Sequence, residues 1–217
     1  MAGSLDREQG IKEVLISTER VKEIVAGLGQ EITAYYRDQE NLDLIVIGLL
    51  RGSFVFMADL VRSIDLPLIV DFMTVQSYGD GTVSTGDVKV VMDLDQSIEN
   101  KDVLMVEDII DSGNTFNKVI GLIRHRDPRS LKICTFLNKP SRRVVDVPID
   151  FCGLDIPDKF VCGNGLDFSQ RYRNLPYVGV LDQGSCERFY LFDAAPGPPI
   201  ASSNHPARNK IPPVGVI

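Results

Sequence analysis

Two rhythms of apolar residues run along this chain. Over 17–38 they recur at Val21, Ile24, Val25, Leu28, Ile32 and Tyr35. Steps of three and four predict an amphipathic helix, capped by Ser17 or Thr18. The next stretch, LIVIGLL over 44–50, is unbroken and predicts a strand covered on both faces. Beyond Gly52 and Ser53, a second helix carries Met57, Leu60, Val61 and Ile64 on one side. Further strands are predicted over 68–75, 103–106, 131–137 and 149–154, with 88–92 at the sheet edge. Phe116, Val119, Ile120 and Ile123 repeat at helical spacing between two of them. Strands alternating with helices define an α/β domain on a parallel sheet.

Two regions depart from this alternation. The segment 77–87, SYGDGTVSTGD, is polar and aperiodic, which suits a functional lid or a mobile loop. From about Gln183 the chain turns proline-rich, with six of its twelve prolines between Pro196 and Pro213. No regular helix or central strand tolerates that density. The reading is one domain over 1–182 and a C-terminal extension over 183–217.

Composition narrows the class. With 217 residues and 44% apolar content the chain buries a real core. Lys plus Arg is 23 against 30 acidic residues, a net charge of −7, so a nucleic-acid partner is not expected. Any anionic ligand must be held by backbone amides, a few placed cations or a metal. Of the four cysteines, Cys134, Cys152, Cys162 and Cys186, none forms a C-x-x-C pair, and three sit in apolar runs where a buried thiol packs well. A reducing cytoplasm is the expected compartment. No leader or membrane span is apparent, so no membrane partner is expected.

The chemistry concentrates in 103–115, VLMVEDIIDSGNT. Ligands of open parallel sheets bind beyond the carboxyl ends of strands. Here a strand delivers Glu107 and Asp108, then Asp111, then Ser112-Gly113-Asn114-Thr115 opening a helix. Small residues at a helix start leave N–H groups free to surround a phosphate, aided by the helix dipole. Carboxylates just before it suit ribose hydroxyls or hydrated magnesium. The bland alternative is a solvated acidic loop with an ordinary cap. The order of buried strand, acidic pair, apolar pair, acid, small-residue turn and helix favours a phosphorylated ribose. Gly27-x-Gly29 and Gly163-x-Gly165 lack the third glycine of a dinucleotide fingerprint, and there is no P-loop.

VEDIIDSGNT resembles the phosphoribosyl-diphosphate motif of type I phosphoribosyltransferases, and the likeness is closer to the hypoxanthine-guanine phosphoribosyltransferases. Further matching blocks are GLLRGSFVFMADL (48–60), DFMTVQSYGDGTVSTGD (71–87), LNKPSRR (137–143) and IPDKFVCGNGLDFSQRYR (156–173). The resemblance implies a parallel sheet flanked by helices, with a smaller hood over the base site. It also implies a purine-salvage reaction. Phosphoribosyl diphosphate, with Mg2+, and a 6-oxopurine give a nucleoside monophosphate and diphosphate. By position, Glu107 and Asp108 match the acidic pair on the ribose hydroxyls and metal, with Asp167 a further metal ligand. Asp111 matches the general base, and Ser112, Gly113, Asn114 and Thr115 the 5′-phosphate loop. Arg51-Gly52 matches the diphosphate-binding turn, whose peptide bond can be cis in the family, and Arg173 the arginine that meets diphosphate. Lys139 matches the donor to the 6-oxo group, Phe160 the stacking ring, and Val161 a backbone contact to the base. Ser77-Tyr78 matches the lid. The family forms homodimers or homotetramers.

Departures are Arg51 where lysine is common, Asn164 where an aromatic is usual, and Phe168 where tyrosine is usual. The alternatives carried beside the enzyme are a nucleotide-sensing regulator on the same fold and a transferase for another base. Intact Asp111, Lys139 and Asp167, with an acidic net charge, favour the 6-oxopurine enzyme.

Overall fold

The computed structural model describes residues 8–77 and 88–182. The central sheet contains β2 (Leu44–Leu50), β3 (Ile69–Ser77), β4 (Val88–Met92), β5 (Asp102–Ile110), β6 (Ser130–Asn138) and β7 (Phe151–Asp155). A smaller sheet contains β1 (Ile11–Ile16), β8 (Val161–Cys162) and β9 (Val178–Leu181). The helices are α1 (Thr18–Tyr36), α2 (Phe54–Ser63) and α3 (Asn114–Arg124). The central order is β4-β3-β2-β5-β6-β7. All its pairings are parallel except β3 with β4, which is antiparallel at the edge.

The unbroken apolar strands are buried on both faces, as predicted. Leu44 and Val46 of β2, with Leu104 and Val106 of β5, pack into the cluster holding α1 and α2. Ile45, Ile47, Val103 and Met105 face the opposite cluster, where α3 contributes Phe116, Val119, Ile120 and Ile123. Burying each such side chain stabilises by about 1.5–3 kcal/mol before the entropy of ordering is counted. Ser17 caps α1, its hydroxyl accepting from the Arg20 N–H at 3.2 Å.

Topology then places the site. The chain runs from β2 through α2 to β3 on one side, then crosses back so that β5 lies on the other side of β2. The crevice of such a sheet opens beyond the carboxyl ends of the two strands flanking the reversal. Those ends are Leu50-Arg51-Gly52 after β2 and Glu107 to Thr115 along β5 into α3.

Three expectations change. The strand predicted over 103–106 runs on to Ile110, because parallel pairing with β6 continues to Ile110 opposite Asn138. Glu107 and Asp108 therefore lie within the strand, not after it. In α1 the buried tyrosine is Tyr36, while Tyr35 is exposed, stacks edge-on against Tyr36 and Phe151, and lies under the Lys132 ammonium. Cys134 and Cys162 are buried, but Cys152 is exposed on the edge strand β7. The smaller sheet, ordered β1-β9-β8 and antiparallel, is the hood. Its strands did not stand out as periodic runs. Tyr78 and the segment 183–217 lie outside the described residues; Ser77 ends β3.

Candidate active site

Two groups of side chains assemble at the crevice, joined by β5. The first surrounds the turn after β2. Its Leu50-Arg51 peptide bond is cis, at the turn where the resemblance implies that a cis bond can occur. Gly52 lies so close to β5 that a Cβ there would stand 2.4 Å from Asp108 Oδ2. Any side chain would displace that carboxylate, so glycine is required by contact. Arg173 completes the group, donating to Asp167 Oδ1 at 2.7 Å and to the Gly165 carbonyl at 2.7 Å. Asp108, Asp167 and Arg173 interact electrostatically.

The loop carrying Asp167 folds back sharply. Gly163, Asn164 and Gly165 all adopt positive φ. Asparagine is among the few residues with a side chain that enter this region readily, which gives Asn164 a reason to stand here. It is buried, and its N–H donates to the Leu175 carbonyl at 2.8 Å. Phe168 meets Phe160 edge-to-face with ring centroids 5.6 Å apart, so its missing hydroxyl leaves a ring contact in place. Phe160 is exposed, and its carbonyl accepts from the Leu181 N–H of β9 at 3.0 Å. Val161 is buried opposite Val180. Phe160 and Asp158 line an open cavity of about 360 Å³ with Lys12 and Glu13 of β1 and Leu181.

The second group lies where β5 passes into α3. Gly113 precedes the helix with φ +84° and has no side chain to cap it, while the Ser112 hydroxyl accepts from the Asn114 N–H at 3.5 Å. The first-turn N–H groups, which no intrahelical carbonyl can take, face outward as an anion cradle. The Ser112 carbonyl accepts from the N–H groups of Val144 and Val145 at 2.9 and 3.1 Å, tying the cradle to the following chain. A Cβ on Gly113 would approach the Val145 carbonyl to 2.6 Å. Gly113→Ala therefore combines left-handed strain with a backbone clash. The expected loss of stability is about 1–3 kcal/mol, read by chemical denaturation.

Lys139 is buried at 6% exposure, its Nζ 3.7 Å from Asp111 Oδ2. The other carboxylate oxygen, Oδ1, accepts from Arg142 Nε at 3.3 Å. Arg143 donates to the Ile110 carbonyl at 3.3 Å and to Asn138 Oδ1. Neither arginine was singled out from the sequence, although both lie in the quoted block LNKPSRR. The missing signal was local geometry. A 3-10 turn over Pro140–Arg142, with proline at its start, has three residues per turn, so Lys139 and Arg142 eclipse and reach the same carboxylate.

The acidic pair is electrostatically loaded. Burial, followed by the neighbouring Asp108 charge, raises the Glu107 carboxyl well above the ordinary range. One Glu107 oxygen, Oε2, is buried without a hydrogen-bond partner. Burial pushes Asp108 up to about 6, opposed by the Ile109 N–H and by Arg173. A carboxyl raised in the folded state binds more protons there than in the unfolded chain, so its ionisation destabilises the fold as pH rises from about 4 through 6. Asp108→Asn should thus gain stability relative to the parent chain across that window, and denaturation at a series of pH values reads the difference. A gap that stays constant with pH would contradict the raised carboxyl.

Comparison with known proteins accords with this arrangement. A sequence model of the phosphoribosyl transferase domain matches residues 15–169, and the chain belongs to that family. Within it, the chain is 56% identical over 167 residues to a hypoxanthine phosphoribosyltransferase of Salmonella typhimurium, covering 77% of this chain and 93% of that one. It is 52% identical over 171 residues to a hypoxanthine-guanine phosphoribosyltransferase of Bacillus subtilis, covering 79% and 93%. A crystal structure of a hypoxanthine phosphoribosyltransferase from Staphylococcus aureus superposes with a TM-score of 0.78 at 44% identity, covering 84% of this chain and 97% of that one.

Proposed function

We propose that this chain transfers the phosphoribosyl group of phosphoribosyl diphosphate to hypoxanthine or guanine, releasing IMP or GMP and diphosphate. The observation that carries the reading is Lys139 Nζ facing Asp111 Oδ2 at 3.7 Å, beside the glycine-led start of α3. The 6-oxo group and N7 lie along one edge of an oxopurine. A cationic donor and a carboxylate side by side match that edge, and the amino group of adenine does not.

Each part of the site then has a task. The Asp111–Thr115 cradle takes the 5′-phosphate on its amides. Glu107 and Asp108 hold the ribose hydroxyls. The Arg51-Gly52 turn and Arg173 hold the diphosphate. Phe160 stacks on the base and Val161 offers its backbone to the base edge. N9 attacks the anomeric carbon as the carbon–oxygen bond to diphosphate breaks. The electron pair leaves with diphosphate, and Asp111 accepts the proton from N7. By the resemblance, Ser77-Tyr78 is assigned to a lid that would exclude water able to hydrolyse the reacting centre.

Among the described residues, no three His, Cys, Asp or Glu side chains are gathered to hold a metal unaided. Magnesium at a diphosphate needs only one or two protein carboxylates, since substrate oxygens and waters supply the rest. The unpartnered oxygen of Glu107, with Asp108 and Asp167, fits that demand. When bound, Mg2+ neutralises charge on the leaving diphosphate.

We infer a homodimer or homotetramer, supported by Val70 of β3 and by Val91 and Met92 of β4, all left exposed. Among the described residues Cys134 and Cys152 carry free thiols, which suits a cytoplasmic protein. No described helix is long and apolar enough to cross a membrane.

The deciding experiment measures nucleotide formation from phosphoribosyl diphosphate with hypoxanthine, guanine, xanthine and adenine separately, with and without magnesium. Metal-dependent turnover of oxopurines but not adenine is expected. Turnover of adenine at a comparable rate would overturn the assignment of Lys139.

A further inference from the structure

We infer that Arg142 is a positioning residue, fixing Asp111 for proton transfer and tying it to the hood loop that carries the purine-stacking ring. This rests on Asp111 as the proton acceptor and extends that reading to a residue with no assigned role. Arg142 spans two carboxylates. Its Nε donates to Asp111 Oδ1 at 3.3 Å, and its Nη1 lies 3.8 Å from Asp158 Oδ2. Asp158 stands two residues before Phe160 and lines the same cavity. Arg142 thus connects the carboxylate at the start of the phosphate cradle with the segment that sets the height of the stacking ring.

The division of the Asp111 oxygens gives the contact its consequence. Arg142 occupies Oδ1, leaving Oδ2 as the oxygen turned toward Lys139. When a 6-oxopurine takes Lys139, the Arg142 contact is the one ion pair among the described residues that still restrains the carboxylate. Without it, a half-exposed aspartate would sample rotamers that turn Oδ2 away from N7. The backbone of Arg142 is well placed to hold still, because its N–H donates to the Lys139 carbonyl at 3.1 Å within the 3-10 turn. Side chains this exposed (55% for Arg142, 54% for Asp158) add little to stability as ion pairs, so the contact acts on geometry and not on folding.

The test is a kinetic series on the full chain. Arg142→Ala should lower kcat about tenfold and raise KM for hypoxanthine severalfold, with KM for phosphoribosyl diphosphate unmoved. Arg142→Lys should recover part of kcat, since an ammonium reaches one carboxylate but lacks the fork that spans two. Asp158→Asn should raise KM for hypoxanthine severalfold. The discriminating measurement is a double-mutant cycle with Asp111→Asn, in which adding Arg142→Ala to Asp111→Asn should produce no further loss of kcat. Losses that multiply, or a kcat within twofold of the parent in Arg142→Ala, would overturn the inference. A silent Asp111→Asn would instead overturn the proton-acceptor reading, and the role of Arg142 with it. Equal damage to the KM of both substrates would mark Arg142 as merely structural and also count against it.

Discussion

Asp111→Ala is expected to turn over about 10²–10⁴ times more slowly than the parent, the usual range for removing a positioned general base. Phosphoribosyl diphosphate should still bind, because the phosphate cradle is made of main-chain amides and is shaped by Gly113 and by the two N–H donors on the Ser112 carbonyl. The loss should therefore appear in kcat, with equilibrium binding of phosphoribosyl diphosphate close to that of the parent. A rate within a few-fold of the parent would remove Asp111 from proton transfer. Loss of phosphoribosyl diphosphate binding would instead make its carboxylate a structural part of the cradle.

The second large effect is on specificity. Lys139→Ala should weaken hypoxanthine and guanine by about ten- to a hundredfold, the range for losing a hydrogen bond from a charged donor. Adenine, with an amino group at the same position, gains nothing from that donor and should be unaffected. Lys139 is buried and beside Asp111, so its removal also frees one carboxylate oxygen. Measuring equilibrium binding of each base in parallel, with kcat for the oxopurines, separates the two consequences. A selective fall for oxopurines supports the contact with the 6-oxo group, whereas an equal fall for adenine would assign the lysine to Asp111 alone.

Residues adjacent in the chain were the easiest to read. The run from Val103 to Thr115 delivers strand, acids, turn and helix in order, and the fold uses them in that order. Covered strands were equally plain, since burial on both faces writes itself as an unbroken apolar run. The hood strands were obscure for a physical reason. β1 reads IKEVLI with one fully buried position, and β8 is two residues long. Both depend on β9, whose pairing with β1 sets Ile11 opposite Leu181. Tyr35 and Tyr36 are adjacent, and one step of helical phase decided which was buried. Asp167, Phe160 and Arg173 came from resemblance; their grouping depends on a chain reversal through positive-φ residues that no periodicity signals. Arg142 was missed because its meaning lies in the eclipsed geometry of a three-residue turn.

The pairing of β1 with β9 also orders events in time. Every partner in the central sheet has been synthesised once β7 is complete, at Asp155. The hood must wait for Val178–Leu181, because its middle strand is the last one in the described domain. Contacts this distant in sequence are slow to close and come late in folding. A nascent chain released at residue 155 would carry all six central strands and the turn into α3, without the paired hood. On the ribosome, the strands of the central sheet and the turn into α3 are thus complete before the hood can pair.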